Sequence, residues 1–282
     1  DWMAFLYASI AAIIGMRVRA KCNESGLNHY MGIAISAFIA TMLAWASTLL
    51  PAEWTSTPWH PLLACALFIV PGVPLINFVD DMLDNYIQVG IVRAVNTLLM
   101  VSAMAFGIAF AVKLCSIGDF FPTISMVPHH NYLEYAIAAA ISAMGFSMIF
   151  NIQRRLLWVV AIGGIIAVCT RNFVNLGPST NNIGLDMGLV IGSFSGSVLV
   201  SLIAIKAVHW FHVPNHVLTI PSVIPMIPGV LMYRMLFGLI NMNVQSIDQV
   251  TPLMKAIESG VNSGLVIMCI ALGVAIPNIF GR

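Results

Sequence analysis

The sequence predicts an all-α membrane protein, a polytopic bundle of transmembrane helices. Of its 282 residues, 60% are hydrophobic and only 8% are charged, and the mean hydropathy is +0.94. Soluble domains carry about 25% charged residues, so a soluble globular protein is excluded. The apolar residues form continuous runs, whereas a transmembrane β-barrel requires alternating segments of about ten residues. The composition therefore favours helical spans.

Nine apolar runs are candidates for crossing the membrane, since a helical span needs about 20 apolar residues. The predicted spans are 2–16, 30–50, 61–76, 91–114, 132–150, 156–171, 184–208, 216–237 and 254–279. The first and the sixth are short. An odd number of spans places the two ends of the chain on opposite sides of the membrane.

The basic residues predict the orientation of the spans. They fall on alternate connections, at Arg17, Arg19, Lys21, Arg154, Arg155, Lys206 and Arg282. Cytoplasmic loops of membrane proteins carry an excess of Lys and Arg. We therefore expect a multi-pass protein of the cytoplasmic (inner) membrane, with its C-terminus in the cytoplasm.

Two proline-glycine segments interrupt apolar spans: Ile69–Leu75, which reads IVPGVPL, and Ile224–Val230, which reads IPMIPGV. Proline removes a backbone donor and clashes with the preceding turn. In lipid, the carbonyl freed in this way must be satisfied by protein, water or a ligand. A simple structural kink is the alternative, because Gly and Pro are common in membrane helices. Paired breaks in two halves favour the substrate site of a transporter.

The breaks divide the chain into two related halves. Val92–Val95 (VRAV) opens the span after the first break, and Met254–Ile257 (MKAI) opens the span after the second. The second half has one extra leading helix, 132–150, whose counterpart would precede Asp1. We therefore expect two five-helix halves, with nine helices present in this chain. Because five is odd, the two halves form an inverted repeat.

The predicted organisation has three parts. Residues 1–115 form a first transmembrane half that is truncated at its N-terminus. Residues 116–131 form an extracytoplasmic linker with Pro122 and Pro128, and residues 132–282 form the second transmembrane half.

Several segments resemble the threonine/serine exporter family. They are Phe68–Asn77 (FIVPGVPLIN) with Asp81 and Arg93, Gly145–Asn151 (GFSMIFN), Val223–Gly229 (VIPMIPG) with Tyr233, and Ala275–Pro277 (AIP). The resemblance implies ten helices preceded by a cytoplasmic N-terminal domain, of which the domain and the first helix are missing here. It also implies export of small hydroxy amino acids driven by the proton gradient. Two-subunit relatives are linked instead to export of succinate-like dicarboxylates.

The breaks and the resemblance together predict a substrate site between the two broken helices, near the membrane midplane. The predicted substrate-binding residues are Pro71, Gly72, Pro74, Asn77, Asp81, Arg93, Pro225, Pro228, Gly229 and Tyr233. A half-helix N-terminus suits a carboxylate, because it carries partial positive charge and free N–H groups. An opposing C-terminal end offers carbonyls to an ammonium group. Asp81 is predicted to bind the substrate amine or to carry the coupled proton.

Other readings remain open for the charged residues near the breaks. Asp80 and Asp84 fit a solvated acidic loop after the first break. Arg93 could pair with Asp81, or it could extend to the interface, as Lys255 could at the equivalent position in the second half.

Three further clusters favour structural roles. Arg171, Asn172 and Asn175 fit the end of the sixth span and an outer loop. Gly192–Ser197 and Gly163-Gly164 are small-residue segments that allow helices to approach closely. His209, His212 and His216 share one helical face, but Pro214 interrupts that helix, so no metal site is predicted.

No enzyme motif is present: the sequence has no nucleophile elbow, phosphate-binding glycine loop or HExxH. A net charge of +1 gives no indication of a nucleic-acid partner. We expect no cofactor, a lipid environment, a small-molecule substrate and a homo-oligomer. The predicted function is a secondary transporter that exports threonine and serine by alternating access. The alternatives are a dicarboxylate exporter of the same fold, a channel, and a membrane assembly subunit without transport.

Overall fold

The computed structural model describes residues 2–49, 60–65, 67–115, 131–178, 183–240 and 250–280. Helices and turns make up these residues, and no β-strand occurs among them. The α-helices in these ranges are α1 (Trp2–Glu24), α2 (His29–Trp45), α3 (His60–Ala64), α4 (Gly72–Leu83), α5 (Ile87–Leu114), α6 (Tyr132–Ile149), α7 (Leu157–Asn175), α8 (Gly188–Phe211), α9 (Asn215–Val223), α10 (Gly229–Ile240) and α11 (Val250–Phe280). The predicted linker 116–131 lies outside the described residues except for its last residue.

Seven helical segments in the described ranges are long and apolar enough to cross a membrane. They are Met3–Glu24, His29–Leu49, Ile87–Leu114, Tyr132–Ile149, Arg154–Asn175, Gly188–Phe211 and Leu253–Pro277. An eighth is obtained if Asn215–Met226 and Gly229–Leu236 are one broken span. The predicted third span, 61–76, consists of α3, a 3-10 turn at Leu67–Ile69 and the start of α4. The chain is therefore an all-α polytopic membrane protein, as predicted.

The prediction of a loop directly after residue 16 is wrong. Helix α1 continues to Glu24, so Arg17, Arg19 and Lys21 lie on its last turns. The reason is that Arg, Lys, Met and Ala favour helix even where the apolar run has ended. Gly26 lies in the turn that follows the helix, and its φ of 71° is a left-handed conformation that suits glycine.

The predicted acidic loop after the first break is also partly helical, because α4 extends through Asp80 and Asp81 to Leu83. Asn85 lies in the turn that follows α4 and has a left-handed φ of 68°. The amide of Tyr86 donates to the carbonyl of Asp81 at 2.8 Å, and that of Asn85 donates to the carbonyl of Met82 at 3.2 Å. This helix-terminating motif turns the chain directly into α5.

The described chain divides into two compact units. Unit 1 comprises Asp1–Pro71, Val95–Met126 and Gly229–Gly260, and unit 2 comprises Gly72–Ala94, Val127–Pro228 and Val261–Arg282. The chain thus leaves unit 1 after Pro71 and leaves unit 2 after Pro228. Each proline-glycine pair coincides with a boundary between the units.

In unit 1, α2 and α5 pack closely. A Cβ atom on Gly107 would overlap the carbonyl oxygen of Ala34, so only glycine allows this approach. The Tyr30 hydroxyl on α2 donates to Asn96 Oδ1 on α5 at 2.7 Å. Nearer the other end of the pair, the rings of Phe38 and Phe110 lie 5.4 Å apart.

In unit 2, small residues let α6, α7 and α8 approach each other. A Cβ on Gly196 of α8 would lie 2.6 Å from the carbonyl oxygen of Ala167 on α7. A Cβ on Gly164 of α7 would lie 3.1 Å from the carbonyl oxygen of Ala139 on α6. The predicted packing role of these glycines is confirmed. Residues from α4, α6, α7, α8, α9 and α11 form the core of this unit, including Ile76, Val79, Ala139, Val168, Val200, Val223, Ile270 and Val274.

Candidate functional site

The first break begins with the 3-10 turn Leu67–Ile69. The amide of Val70 closes this turn by donating to the carbonyl of Leu67 at 3.1 Å. Pro71 follows, and α4 starts at Gly72. Because Pro71 has no N–H group, the helix cannot continue through it with its normal hydrogen bonds.

The second break repeats this pattern. Its 3-10 turn is Ile224–Met226, with Pro225 at the centre, and the amide of Ile227 donates to the carbonyl of Ile224 at 2.9 Å. Ile227 is extended, with a ψ of 129°, as a residue before proline prefers to be. After Pro228, α10 starts at Gly229.

The two break glycines make matching contacts, each inside its own unit. In unit 2, a Cβ on Gly72 would lie 2.9 Å from Ile227 Cδ1 and 3.4 Å from Ile224 Cγ1. In unit 1, a Cβ on Gly229 would lie 3.0 Å from Leu67 Cδ2 and 3.8 Å from Val70 Cγ2. In each unit, therefore, the start of one half-helix lies against the 3-10 turn and the pre-proline residue of the other break.

The half-helices differ in the backbone donors that they offer. The first four N–H groups of a helix have no intrahelical partner. In α10 all four belong to residues with an N–H, whereas Pro74 removes one of the four in α4. Both ends carry partial positive charge and can receive a carboxylate.

Polar side chains extend along α4 from the first break. Asn77 is partly buried about one turn after Gly72. Asp81 follows one turn later, and its Oδ2 accepts a hydrogen bond of 2.6 Å from Arg93 Nη1 on α5. The predicted pairing of these two residues is therefore confirmed. The Arg93 side chain is 47% exposed and that of Asp81 is 21% exposed, so the pair lies at the edge of unit 2.

Tyr233 occupies a different environment, in the interior of unit 1. It is 1% exposed, and its hydroxyl donates to Met104 Sδ on α5 at 3.2 Å. Its ring lies one turn after Gly229 and supports the start of α10. The structure directs the hydroxyl toward this sulfur atom.

Comparison with known proteins matches both halves of the chain to one family. A family model described as "Threonine/Serine exporter, ThrE" matches residues 135–280, just over half of the chain. A second, described as "Putative threonine/serine exporter", matches residues 1–115. The chain belongs to the threonine/serine exporter family. The first break lies within the range matched by the second model, and the second break lies within the range matched by the first.

One curated protein similar to this chain is the "Probable succinate transporter subunit YjjP" of Klebsiella aerogenes. It is 29% identical to this chain over 113 residues, which is 40% of this chain and 43% of the relative. The chain therefore spans less than half the length of that relative. No solved structure matches the chain.

Arg171 and Asn172 on α7 are candidate functional residues that the sequence pattern did not identify. Arg171 and Asn172 were predicted to end the sixth span beside an outer loop, but α7 continues to Asn175 and both lie within it. Asn172 is 2% exposed, and its Oδ1 accepts a 3.3 Å hydrogen bond from Arg171 Nε. A cation within an apolar span is the signal that could have identified them in this member of the threonine/serine exporter family.

An apolar groove of about 260 Å³ lies on unit 2, between α7, α8 and α9. It is lined by Trp158, Ile162, Ile203, Trp210, Phe211 and Leu218 among other apolar residues, with the Ser222 hydroxyl as its main polar group. That hydroxyl already donates to the carbonyl of Leu218 at 2.7 Å. The groove therefore has no charged residue in its lining to pair with the ends of an amino acid or a dicarboxylate.

The three histidines lie on two helices. His209 is near the end of α8, His216 is in α9, and His212 is left-handed between them, with a φ of 52°. The spacing predicted that all three histidines share one helical face. That prediction is wrong, because α8 ends at Phe211 and His212 is left-handed. The described residues contain no group of three potential metal ligands.

Proposed function

We propose that this protein is a secondary active transporter that exports threonine and serine across the cytoplasmic membrane, coupled to the proton gradient. The observation that carries the proposal is the pair of proline-glycine breaks, repeated with the same hydrogen bond and the same glycine contacts. Broken helices at corresponding positions of two halves are characteristic of transporter substrate sites. Membership of an exporter family supports the direction of transport.

The matching contacts also support an inverted repeat. Leu67 and Val70 precede Gly72 by the same numbers of residues as Ile224 and Ile227 precede Gly229. Matches of the two family models to 1–115 and 135–280 support two transmembrane halves with these approximate limits. In this proposal, alternating access arises when one half moves relative to the other.

The substrate is bound at the breaks. Pro71, Pro74, Pro225 and Pro228 keep the starts of α4 and α10 open, and each start carries a partial positive charge. Asn77 supplies a neutral donor and acceptor about one turn into α4. Tyr233 supports the start of α10 through its ring.

Asp81 is the proposed proton carrier. In the deprotonated state its carboxylate pairs with Arg93. Protonation removes that charge, so the attraction between α4 and α5 weakens. In this way, binding of a proton would shift the balance between two conformations of the helices, as a transport cycle requires.

A dicarboxylate exporter is the second candidate, favoured by the printed name of the Klebsiella relative, a succinate transporter subunit. A dicarboxylate would need two positive sites and no partner for an amine. In that case Arg93 and Arg234 become candidate carboxylate partners.

Counterflow in liposomes that contain the full-length protein distinguishes these candidates. Saturable threonine counterflow that serine competes with is the expected result. Succinate counterflow alone would keep the architecture and replace the substrate. Transport without saturation would support a channel, and an absence of movement of either substrate would support an assembly subunit.

We also propose an inner-membrane location with the C-terminus in the cytoplasm. The alternation of basic residues between connections supports this orientation. Single cysteines at positions 55 and 125, in a background without Cys22, should react with an impermeant reagent from outside, and one at Lys21 should not. Labelling of all three positions from one side would overturn the orientation.

A further inference from the structure

We infer that Arg171 and Asn172 form a carboxylate-binding site on α7, which receives the carboxylate of the transported molecule. The inference rests on the proposed function, because that function supplies the ligand. It adds two residues that neither the family resemblance nor the breaks identify.

The first argument is the cost of the charge. Arg171 is partly buried and lies within the candidate span Arg154–Asn175. Among the described residues it makes no salt bridge to a carboxylate. A cation in such a position is expensive unless an anion accompanies it, and ionisable groups within spans usually mark a substrate or ion path.

The second argument is the set of hydrogen-bond donors. Arg171 Nε is used by Asn172 Oδ1, which leaves the two terminal nitrogens of the guanidinium group as donors. Asn172 is only 2% exposed, and its Nδ2 has no hydrogen-bond partner among the described residues. Leaving a buried donor without an acceptor destabilises the folded protein. A ligand that accepts from both residues would remove this cost.

The third argument is position. Gly196 of α8 packs against Ala167 of α7, and a Cβ on Gly196 would also lie 3.1 Å from Met226 Sδ in the 3-10 turn of the second break. Gly192, one turn earlier on α8, packs against the Arg171 carbonyl. Four helical residues span about 6 Å. Arg171 therefore lies about one helical turn along α7 from the level of that 3-10 turn, within unit 2.

The chemistry of the ligand follows from the donors. A guanidinium fork with an adjacent amide N–H group matches the two oxygens of a carboxylate. Threonine, serine and succinate all carry this group. The site therefore serves either candidate substrate and does not depend on which one the protein exports.

Binding of substrates to the purified full chain tests the inference, with labelled threonine, threonine amide and succinate as ligands. Arg171→Gln should raise the dissociation constants of threonine and succinate by about 10- to 100-fold, the effect of losing a charge-assisted contact. Its effect on threonine amide, which has no carboxylate, should be small. Arg155→Gln, an exposed cation at the other end of the same helical segment, should change none of the three.

Asn172→Asp provides a test that does not depend on removing the arginine. The new carboxylate lies beside Arg171 and occupies it, so binding of threonine should fall as in Arg171→Gln while thermal stability is retained. If Arg171 has only a structural role, the Asn172→Asp variant should bind threonine as tightly as the native protein. Arg171→Lys keeps the charge but loses the fork, and should give an intermediate loss.

The outcomes separate this inference from the proposed function. Equal effects of Arg171→Gln on threonine and threonine amide would overturn the carboxylate site and leave the exporter proposal standing. Native protein that binds threonine without counterflow would overturn the exporter proposal, and the variants would still decide the site. An effect seen only in liposomes with anionic lipid would assign Arg171 to lipid phosphate. Absence of binding of any carboxylate would overturn both.

Discussion

In the first half of the chain, the helix that follows the break carries Asn77 and Asp81, whereas in the second half the same positions are Arg234 and Gly238. The backbones around them are alike: α4 and α10 both have 12 residues, and both begin at a glycine after a proline. The comparison separates two requirements. The broken geometry occurs in both half-helices, but the acidic side chain at this position occurs only in α4, as the proposed amino-acid substrate with a single ammonium group would require.

The position one turn after each glycine shows the same division. Ile76 follows Gly72, Tyr233 follows Gly229, and each is 1% exposed in its own unit. Both side chains fill a core, so this position serves packing in each half. Ile76 is aliphatic and Tyr233 is aromatic, and the polar difference between them is the Tyr233 hydroxyl, which donates to Met104 Sδ.

The largest expected effect comes from removing the acidic chemistry that is present on α4 only. Asp81→Asn should lower threonine transport driven by an imposed proton gradient by about 100-fold, which corresponds to about 3 kcal/mol. Its cost in folding should stay below about 1 kcal/mol, because the Asp81–Arg93 pair is partly exposed. Asp84→Asn, on the exposed turn beyond α4, is the matched control and should transport normally. Normal transport by Asp81→Asn would show that the Asp81–Arg93 ion pair has only a structural role.

Next in size is the effect of repairing each break. Replacing Pro71-Gly72 with Ala-Ala restores a donor and favours continuous helix by about 4 kcal/mol in summed propensity. The same change at Pro228-Gly229 should act equally, with transport lowered by about tenfold or more in both variants. Counterflow and membrane insertion are measured together. Loss at one break alone would show that the two are not equivalent, and no loss at either would favour an assembly subunit.

The sequence alone predicted both breaks and all seven long apolar helices that the structure describes, because continuous hydrophobicity and the absence of a proline N–H act locally. It also predicted the Asp81–Arg93 contact, since the two residues flank a short turn between helices. It could not predict that α1 continues through Arg17 to Glu24. The apolar run ends near residue 16, but the residues that follow still favour a helix. Nor did it identify Arg171, whose significance depends on contacts with α8 and on the burial of Asn172. Such features arise from tertiary packing and leave no periodic signal.

A smaller effect should follow when the break glycines are enlarged. Gly72→Leu forces a side chain toward Ile227, and Gly229→Leu forces one toward Leu67, where even a Cβ would lie 2.9 Å and 3.0 Å away. Each should lower the free energy of unfolding by about 1–3 kcal/mol, as overpacking does. Gly264→Leu is the control, because nothing lies within 4 Å of a Cβ there. Thermal unfolding in detergent measures all three, and a large difference between the two break variants would contradict their equivalence.

The smallest effect is expected from removing the Tyr233 hydroxyl, the polar group that Ile76 lacks at the equivalent position. Tyr233→Phe removes only the hydrogen bond to Met104 Sδ, and sulfur is a weak acceptor, so stability should change by less than about 1 kcal/mol. The KM for threonine should not change, because the ring still fills the core of unit 1 as Ile76 fills that of unit 2. A tenfold higher KM would instead mean that the hydroxyl turns from Met104 to the substrate during transport. Tyr233 would then be the polar counterpart of Asp81, and both half-helices would carry binding chemistry.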